Sequence, residues 1–189
     1  MSNYKIDDYV YVTNVIPKEL CKRTIKILEK NKWQKHQWYN ANDGSRISEE
    51  TKELDVTDYN RELQAETAKF LVKAYAEYET KFRGNTKKTA GICNSFSPFR
   101  LNKYSKGMLM RKHYDHIHSI FDGSRKGIPC LSFIGILNSN FTGGDFIIRD
   151  KKIKTKTGDI IIFPSCFLYP HEVTEVKKGA RYSFVSWGF

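Results

Sequence analysis

Apolar and polar residues follow two different periods along this chain. A first helix is predicted from Pro17 to about Asn31, because apolar residues recur there at helical spacing. A second helix is predicted over about 59–82, with an apolar stripe typical of core packing rather than of a cofactor site. After Gly84 the pattern changes to short β-rich runs separated by Gly, Asn, Asp and Pro, which indicates a mainly β second half.

The second half carries signals for a succession of strands. Gly143-Gly144 predicts a tight turn between two of them, and Pro164 ends an apolar run. In the first half, one short strand is predicted near 33–39, followed by a polar loop over 40–58. The strands of the second half are predicted near 99–104, 108–115, 130–138, 145–149, 159–163, 171–176 and 180–187.

This order of elements predicts an α+β fold. Many short strands joined by turns favour an antiparallel double-sheet jelly roll, also called a double-stranded β-helix, with N-terminal supporting helices. The chain shows no internal repeat, low-complexity tract or linker. We therefore expect a single domain over residues 1–189, with helical support over about 1–84 and a jelly-roll core over about 85–189.

Length and composition fit a globular protein with a core. The chain has 189 residues, of which 40% are hydrophobic. No apolar run approaches membrane-spanning length and the first residues do not resemble a signal peptide, so we expect no membrane partner and a cytoplasmic location, in the host cytoplasm if the source is viral. The four cysteines lack paired spacing, which predicts small buried side chains in a reducing compartment.

The formal net charge of +11 allows three interpretations. It could reflect a nucleic-acid partner, an acidic substrate or simple solubility. Because the lysines are spread widely, a solvated surface is favoured and a nucleic-acid partner is disfavoured. An acidic protein or peptide partner stays open.

Candidate metal ligands lie in the second half. His113 and Asp115 are two positions apart in a predicted strand, so both side chains would point to one face while Tyr114 points away. A third ligand must come from elsewhere, and His171 begins a new segment after Pro170. Two imidazoles and one carboxylate can hold ferrous iron and leave positions open for oxygen and a chelating co-substrate.

Other histidines compete for this role. His116 and His118 lie on the opposite strand face or in the following loop, and we interpret them as surface or substrate-edge residues. His36 stands alone in a lysine-rich region and is not expected to be a ligand. A His-x-Asp pair is a common pattern by itself, and its alternative is an exposed polar strand edge.

Arg181 is the candidate for binding an anion. It would share a strand face with Ser183 and Val185, which would place a hydroxyl beside an inward guanidinium. A buried arginine needs an anion, and the carboxylate of a ligand would satisfy it. A structural salt bridge is the alternative.

The ordered motifs from about residue 98 to 189 resemble those of the iron(II)- and 2-oxoglutarate-dependent dioxygenases, specifically the prolyl 4-hydroxylase-like family. Their combination is far more specific than the His-x-Asp pair alone. The matching stretches are Tyr104-Ser105-Lys106-Gly107, Arg111-Lys112-His113-Tyr114-Asp115, Leu137-Asn138, Phe141-Thr142-Gly143-Gly144-Asp145-Phe146, Thr157-Gly158-Asp159, His171-Glu172-Val173 and Gly179-Ala180-Arg181-Tyr182.

The resemblance implies a role for each of six residues. Arg181 would pair with the distal carboxylate of 2-oxoglutarate, Tyr104 would assist co-substrate binding, and Ser183 would assist Arg181. For Tyr104 a core aromatic is the alternative. No catalytic residue is expected beyond the metal centre. The iron ligands implied by the resemblance are His113, Asp115 and His171.

The sequence also departs from the family pattern. Some relatives carry a tyrosine where Ile136 stands, so co-substrate contacts would rest more on Tyr104. Many collagen-type enzymes have lysine where Arg181 stands. Nucleic-acid demethylases of this scaffold usually show two spaced arginines after the last histidine, whereas this chain shows one.

The resemblance implies an iron(II) cofactor, 2-oxoglutarate as co-substrate, O2 as oxidant, and ascorbate as a further reductant. The expected reaction is hydroxylation of a substrate C–H bond with release of succinate and CO2, and the expected substrate is a prolyl residue in a protein or peptide. A free amino acid, another side chain or a nucleobase is the alternative substrate, and a non-catalytic jelly-roll binding module is the alternative function. Residues 40–58 and 116–128 are candidates for a substrate lid.

Overall fold

The computed structural model describes two α-helices and a 3-10 turn. The turn spans Ile6–Tyr9, helix α1 spans Lys18–Leu28 and helix α2 spans Arg61–Arg83. Neither helix is long and apolar enough to cross a membrane. The structure describes residues 4–39, 43, 45–47, 52–83, 91–115 and 129–189.

The strands of these described residues are short, and most belong to the second half of the chain. In chain order they are β1 (Tyr11–Asn14), β2 (Gln34–Lys35), β3 (Trp38–Tyr39), β4 (Arg46–Ile47), β5 (Asp55–Asp58), β6 (Arg100–Tyr104), β7 (Met110–His113), β8 (Leu131–Ile136), β9 (Thr142–Gly143), β10 (Phe146–Ile148), β11 (Lys151–Lys152), β12 (Asp159–Pro164), β13 (His171–Val173), β14 (Val176–Lys178) and β15 (Arg181–Gly188).

Two sheets dominate the fold. The large sheet has the strand order β1-β12-β8-β15-β6-β5-β2, and the small sheet has the order β11-β10-β13-β7. Two further strand pairs are β14-β9 and β3-β4. Neighbouring strands pair in antiparallel fashion in both main sheets. The antiparallel α+β class predicted from the sequence is thus confirmed.

Alternation along the strands divides the large sheet into two faces. On one face, Phe133, Ile162 and Phe184 join side chains of both helices in one hydrophobic cluster. On the other face, Ile134 and Ile161 join side chains of the small sheet in a second cluster. Because successive strand residues point to opposite faces, one set of strands builds both cores. We call these the helix-facing side and the pocket-facing side.

Most elements of the second half lie within a few residues of their predicted positions. One difference affects the site, because β7 ends at His113 and Asp115 lies in a bend beyond it. The strand predicted over 108–115 is therefore shorter than expected, although the Asp115 side chain still lies beside that of His113. A bend, rather than strand periodicity, sets the direction of the Asp115 side chain.

The first half differs more from the sequence prediction. The polar stretch expected to be a loop over 40–58 contains β4 and β5, and the strand expected near 33–39 is divided into β2 and β3. β5 carries the polar sequence Asp55–Asp58 and pairs with β6. Backbone hydrogen bonds to β6 hold β5 in the sheet, and an apolar period cannot reveal such bonds.

The cysteine prediction holds only in part. Cys21 and Cys93 are buried, as expected. Cys130 is exposed and Cys166 is partly exposed, so the expectation of burial was wrong for these two. Both lie at strand ends, where an adjacent apolar run does not guarantee burial.

Candidate metal centre

A cavity lies between the pocket-facing side of the large sheet and the small sheet. Arg100, Asn102 and Tyr104 reach it from β6, and Arg181 and Ser183 reach it from β15. These residues alternate along their strands, so one face of two paired strands supplies them all. The small sheet faces them with His113 and His171, and Asp115 lies in the bend that follows β7.

The structure brings His113, Asp115 and His171 together. The two histidines are directly opposite in the β7–β13 pair, with ring centroids 4.3 Å apart. Asp115 Oδ1 lies 3.6 Å from His113 Nε2 and 3.8 Å from His171 Nε2. One ligand atom from each residue lies within 4.8 Å of the other two. Two imidazole nitrogens and one carboxylate oxygen at this spacing can hold a divalent transition metal.

Hydrogen bonds to the protein orient these three side chains. His113 Nδ1 lies 2.7 Å from the Arg111 carbonyl oxygen, and His171 Nδ1 lies 3.1 Å from the Tyr169 carbonyl oxygen. When each Nδ1–H donates to its carbonyl, each Nε2 keeps a lone pair for a metal. The Ser132 hydroxyl donates to Asp115 Oδ2, which leaves Oδ1 on the side of the histidines.

Electrostatics favours the protonation states that a metal requires. Burial, reinforced by the nearby His171, lowers the pKa of His113 to about 4, so this imidazole is neutral at pH 7. Burial by itself would raise the pKa of Asp115, but His171 and His113 outweigh it, and the pKa lies below its ordinary value. A neutral imidazole beside an ionised carboxylate is a suitable donor set.

Arg181 lies in the same cavity with an incomplete set of partners. It is 2% exposed, and its Nη1 donates to Ser183 Oγ at 2.9 Å. Its Cζ lies 5.0 Å from the centroid of the Tyr104 ring. Its Nη2 is buried and has no hydrogen-bond partner in the described part of the chain. The predicted neighbours therefore do surround Arg181, and an anion in the cavity would complete its hydrogen bonds.

Sequence reasoning missed a polar cluster behind His113. The buried Glu53 carboxylate accepts hydrogen bonds from Trp38 Nε1 at 3.2 Å and Arg111 Nε at 3.1 Å. The Trp38 ring lies 5.4 Å from the His113 ring, centroid to centroid. This cluster supports a predicted metal ligand from behind. No sequence signal distinguishes Glu53 from its polar neighbours.

The remaining histidines have different positions. His36 is buried between β2 and β3 and does not belong to the metal-binding group found among the described residues. His116 and His118 lie outside the described residues, as do the whole predicted lid segment 116–128 and eight residues of the segment 40–58.

Comparisons with known proteins agree with this geometry. Residues 99–189 match the family described as the 2OG-Fe(II) oxygenase superfamily. A PKHD-type hydroxylase from Prochlorococcus marinus (strain MIT 9515) is 38% identical over 101 residues, which cover 47% of this chain and 44% of the relative. A second, from strain MIT 9215, is 38% identical over 91 residues, covering 45% of this chain and 38% of the relative. The chain thus matches less than half the length of either relative.

Solved structures extend the similarity to nearly the whole chain. A Pseudomonas putida prolyl-4-hydroxylase superposes with a TM-score of 0.65 at 14% identity, covering 97% of this chain and 95% of the other. A prolyl hydroxylase from Trichoplax adhaerens, solved with a hypoxia inducible factor peptide fragment, gives a TM-score of 0.66 at 16% identity, covering 96% and 83%. At these identities the similarity shows a shared fold. Residues 99–189 thus match the model of the 2OG-Fe(II) oxygenase superfamily, and the two-histidine, one-carboxylate donor set of this chain fits iron(II).

Proposed function

We propose that this chain is an iron(II)- and 2-oxoglutarate-dependent dioxygenase that hydroxylates a substrate C–H bond. One oxygen atom of O2 enters the substrate and the other enters succinate, with release of CO2 from 2-oxoglutarate. The observation that supports this most strongly is a three-residue donor set in the same cavity as a buried arginine with an unpaired N–H group. Bound iron(II) would supply oxygen activation, while the protein holds and orients the reactants.

We assign the iron ligands to His113, Asp115 and His171. The carbonyl oxygens behind the two imidazoles hold their Nε2 atoms toward Asp115, and the Ser132 hydroxyl holds the carboxylate. These contacts keep the ligands in place with little reorganisation. Three protein ligands on one side leave the other side free for the co-substrate and O2.

We assign 2-oxoglutarate binding to Arg181, Ser183 and Tyr104. The unpaired Nη2 of Arg181 would donate to the distal carboxylate of the co-substrate, while Ser183 keeps the guanidinium oriented through Nη1. The Tyr104 ring packs against the guanidinium and limits its movement. Burial strengthens such a charge-assisted hydrogen bond because little water competes for it.

For the substrate we propose a prolyl residue in a protein or peptide. The proposal draws on structural neighbours that are prolyl hydroxylases, one of them solved with a peptide fragment. Exposed apolar side chains adjoin the ligands in sequence, with Tyr114 between two ligands and Phe167 and Leu168 shortly before the third. Such side chains could contact a peptide.

The fold-level expectations extend this proposal. We propose that the large and small sheets together form the double-stranded β-helix, that residues 1–189 act as a single domain with helical support over about 1–84, and that the protein works in the cytoplasm. The helix-facing side of the large sheet, which packs against α1 and α2, supports the role given to the helices.

Anaerobic titration with iron(II) and 2-oxoglutarate tests the proposal. Chelation of iron by the 2-oxo acid in an open site should give a weak visible charge-transfer band. Asp115→Ala should abolish the band, whereas Asp58→Ala, at an exposed strand end, should retain it. Folded wild-type protein that shows no band and binds no iron would refute the proposal.

A further inference from the structure

A second arginine lines the cavity on the same sheet face as Arg181. Arg100 begins β6, and Tyr104, which pairs with Arg181 across the strands, ends it. Four residues of extended strand separate Arg100 from Tyr104 by about 13 Å. The guanidinium groups of Arg100 and Arg181 therefore lie toward opposite ends of the cavity.

Arg100 has no anionic partner of its own within the described ranges of the chain. Its Nε is buried without a hydrogen-bond partner, and it forms no ion pair with any residue that the structure describes. Its Cζ lies 5.4 Å from the centroid of the Trp187 ring, which holds the guanidinium from one side. A buried guanidinium N–H without a hydrogen-bond partner is costly unless an acceptor such as an anion reaches it.

The end of the cavity that holds Arg100 is also the end near the metal ligands. Ser132, which donates to Asp115, is directly opposite Trp187 in the β8–β15 pair. Burial lowers the pKa of Arg100. The negative charge of Asp115 raises this pKa, which agrees with the proximity of Arg100 to Asp115. Asp115 is already held by Ser132 and assigned to the metal, so it does not serve as the partner of Arg100.

We propose that Arg100 binds a carboxylate of the substrate and so selects substrates with a carboxylate near the hydroxylated carbon. This inference rests on the proposed function. In that function both carboxylates of 2-oxoglutarate are already engaged, one by Arg181 and one at the metal, so a further anion must come from the substrate. The carboxylate could belong to a free amino acid or C-terminal residue, or to an acidic side chain beside the target residue.

Matched pairs of probes distinguish these sources. One pair is glycyl-proline and its C-terminal amide, and the other is acetyl-prolyl-aspartate amide and acetyl-prolyl-asparagine amide. Binding is measured by anaerobic calorimetry on protein loaded with iron(II) and 2-oxoglutarate, and turnover is measured separately as succinate formed. The wild-type protein should bind the carboxylate member of at least one pair about 10- to 100-fold more tightly than the neutral member.

Three variants connect that preference to Arg100. Arg100→Gln should reduce it to less than about 3-fold, Arg100→Lys should retain part of it, and Arg61→Gln, at the exposed start of α2, should leave it unchanged. The dissociation constant for 2-oxoglutarate should change by less than about 3-fold in all three. Thermal unfolding checks that each variant is folded.

The outcomes separate this inference from the proposed function. If 2-oxoglutarate binds with the visible band but no probe shows a carboxylate preference, or no probe binds, the role of Arg100 is refuted and the proposed function stands. If Arg100→Gln instead weakens 2-oxoglutarate binding tenfold and leaves the probe preference intact, Arg100 serves the co-substrate and the inference is wrong. If 2-oxoglutarate itself does not bind, the proposed function fails and the inference fails with it.

Discussion

The two faces of the large sheet use the same strands for opposite purposes. On the helix-facing side, β6 and β15 present Leu101 and Phe184, both fully buried in an apolar cluster. On the pocket-facing side, the same strands present Tyr104, Arg181 and Ser183 to the cavity. Because strand side chains alternate, a change at one position affects one face and leaves the other largely untouched. Stability and binding chemistry can therefore be perturbed separately in this protein.

The faces also differ in how well their polar atoms are satisfied. On β6 and β15, buried side-chain atoms without a hydrogen-bond partner among the described residues belong to pocket-facing positions: Arg100 Nε, Asn102 Oδ1, Arg181 Nη2 and Trp187 Nε1. Unpaired buried polar atoms lower stability. On β6 and β15, the pocket-facing positions therefore carry a cost that a bound ligand can remove, whereas the helix-facing positions of these two strands have no such atom.

The largest effect is expected for Phe184→Ala on the helix-facing side. The Phe184 ring is fully buried and stacks on Phe99 with centroids 4.7 Å apart. Its removal should lower the free energy of unfolding by about 4 kcal/mol, since a cavity replaces an aromatic ring. Urea denaturation measures this. Phe167→Ala, at an exposed phenylalanine, serves as the control and should change stability by less than about 0.5 kcal/mol. A loss below about 1 kcal/mol for Phe184→Ala would contradict the comparison.

On the pocket-facing side, Arg181→Gln should act on binding. It removes the charged donor proposed for the distal carboxylate, so the dissociation constant of 2-oxoglutarate should rise about 10- to 100-fold. The free energy of unfolding without ligand should stay the same or increase, because a buried unpaired charge is lost. Anaerobic calorimetry and urea denaturation measure the two quantities. Ser183→Ala removes only a supporting hydrogen bond and should raise the dissociation constant about 2- to 10-fold. If Arg181→Gln binds 2-oxoglutarate with the same dissociation constant as the wild type, Arg181 does not bind the co-substrate.

Gly135→Ala tests how closely the helix-facing side is packed. Gly135 is opposite Phe184 in the β8–β15 pair, and a Cβ there would lie 2.0 Å from Phe184 Cε1. The substitution should lower the free energy of unfolding by about 2 kcal/mol, because the ring must move. In the double variant with Phe184→Ala, this additional loss should largely disappear. Additive losses would show that the ring is not what requires glycine.

The smallest effect is the pH dependence contributed by His36. Burial lowers its pKa to about 3, with the charges of Arg100 and His113 acting in the same direction. In the unfolded chain the pKa returns to near 6.5, so as pH falls below 6.5 the unfolded chain takes up a proton that the folded chain does not. The free energy of unfolding should fall by about 1.5 kcal/mol between pH 6.5 and pH 5 from this group.

His36→Gln isolates that contribution. Glu53 faces His36 and its own pKa is raised by burial, which opposes the effect of His36, but both proteins share that contribution. The difference between wild type and variant, measured by urea denaturation of metal-free protein at both pH values, therefore reports His36. If the two proteins lose stability equally, His36 is not held neutral.

The predictability of each element from the sequence depended on where its partners lie. β8 and β12 were predictable because their apolar runs require burial. β1 was not predicted, because its place depends on pairing with β12, far away in the chain. The large-sheet topology likewise depends on pairings that local periodicity does not contain.

The candidate metal centre was likewise predictable only as far as local sequence patterns reach. The spacing of His113 and Asp115 and the shared strand face of Arg181 and Ser183 were visible locally, and the structure brings these residues together. Their roles in binding iron and 2-oxoglutarate stay predictions. Arg100 was not singled out, because an isolated arginine in a sequence carries no signal of burial or of missing partners. Its position becomes informative only once Trp187 and the cavity lie beside it.

The order of strands in the large sheet has a consequence for folding kinetics. Tyr11 in β1 is opposite Ile162 in β12, and β12 is the strand that joins β1 to the centre of the sheet. Closing a contact between residues about 150 positions apart costs chain entropy before it gains any burial, which makes folding slow. During synthesis β1 must wait for β12 to emerge from the ribosome. A nascent chain that stops before β12 would therefore expose an unpaired β1 edge, which is where chaperone binding or aggregation would be expected.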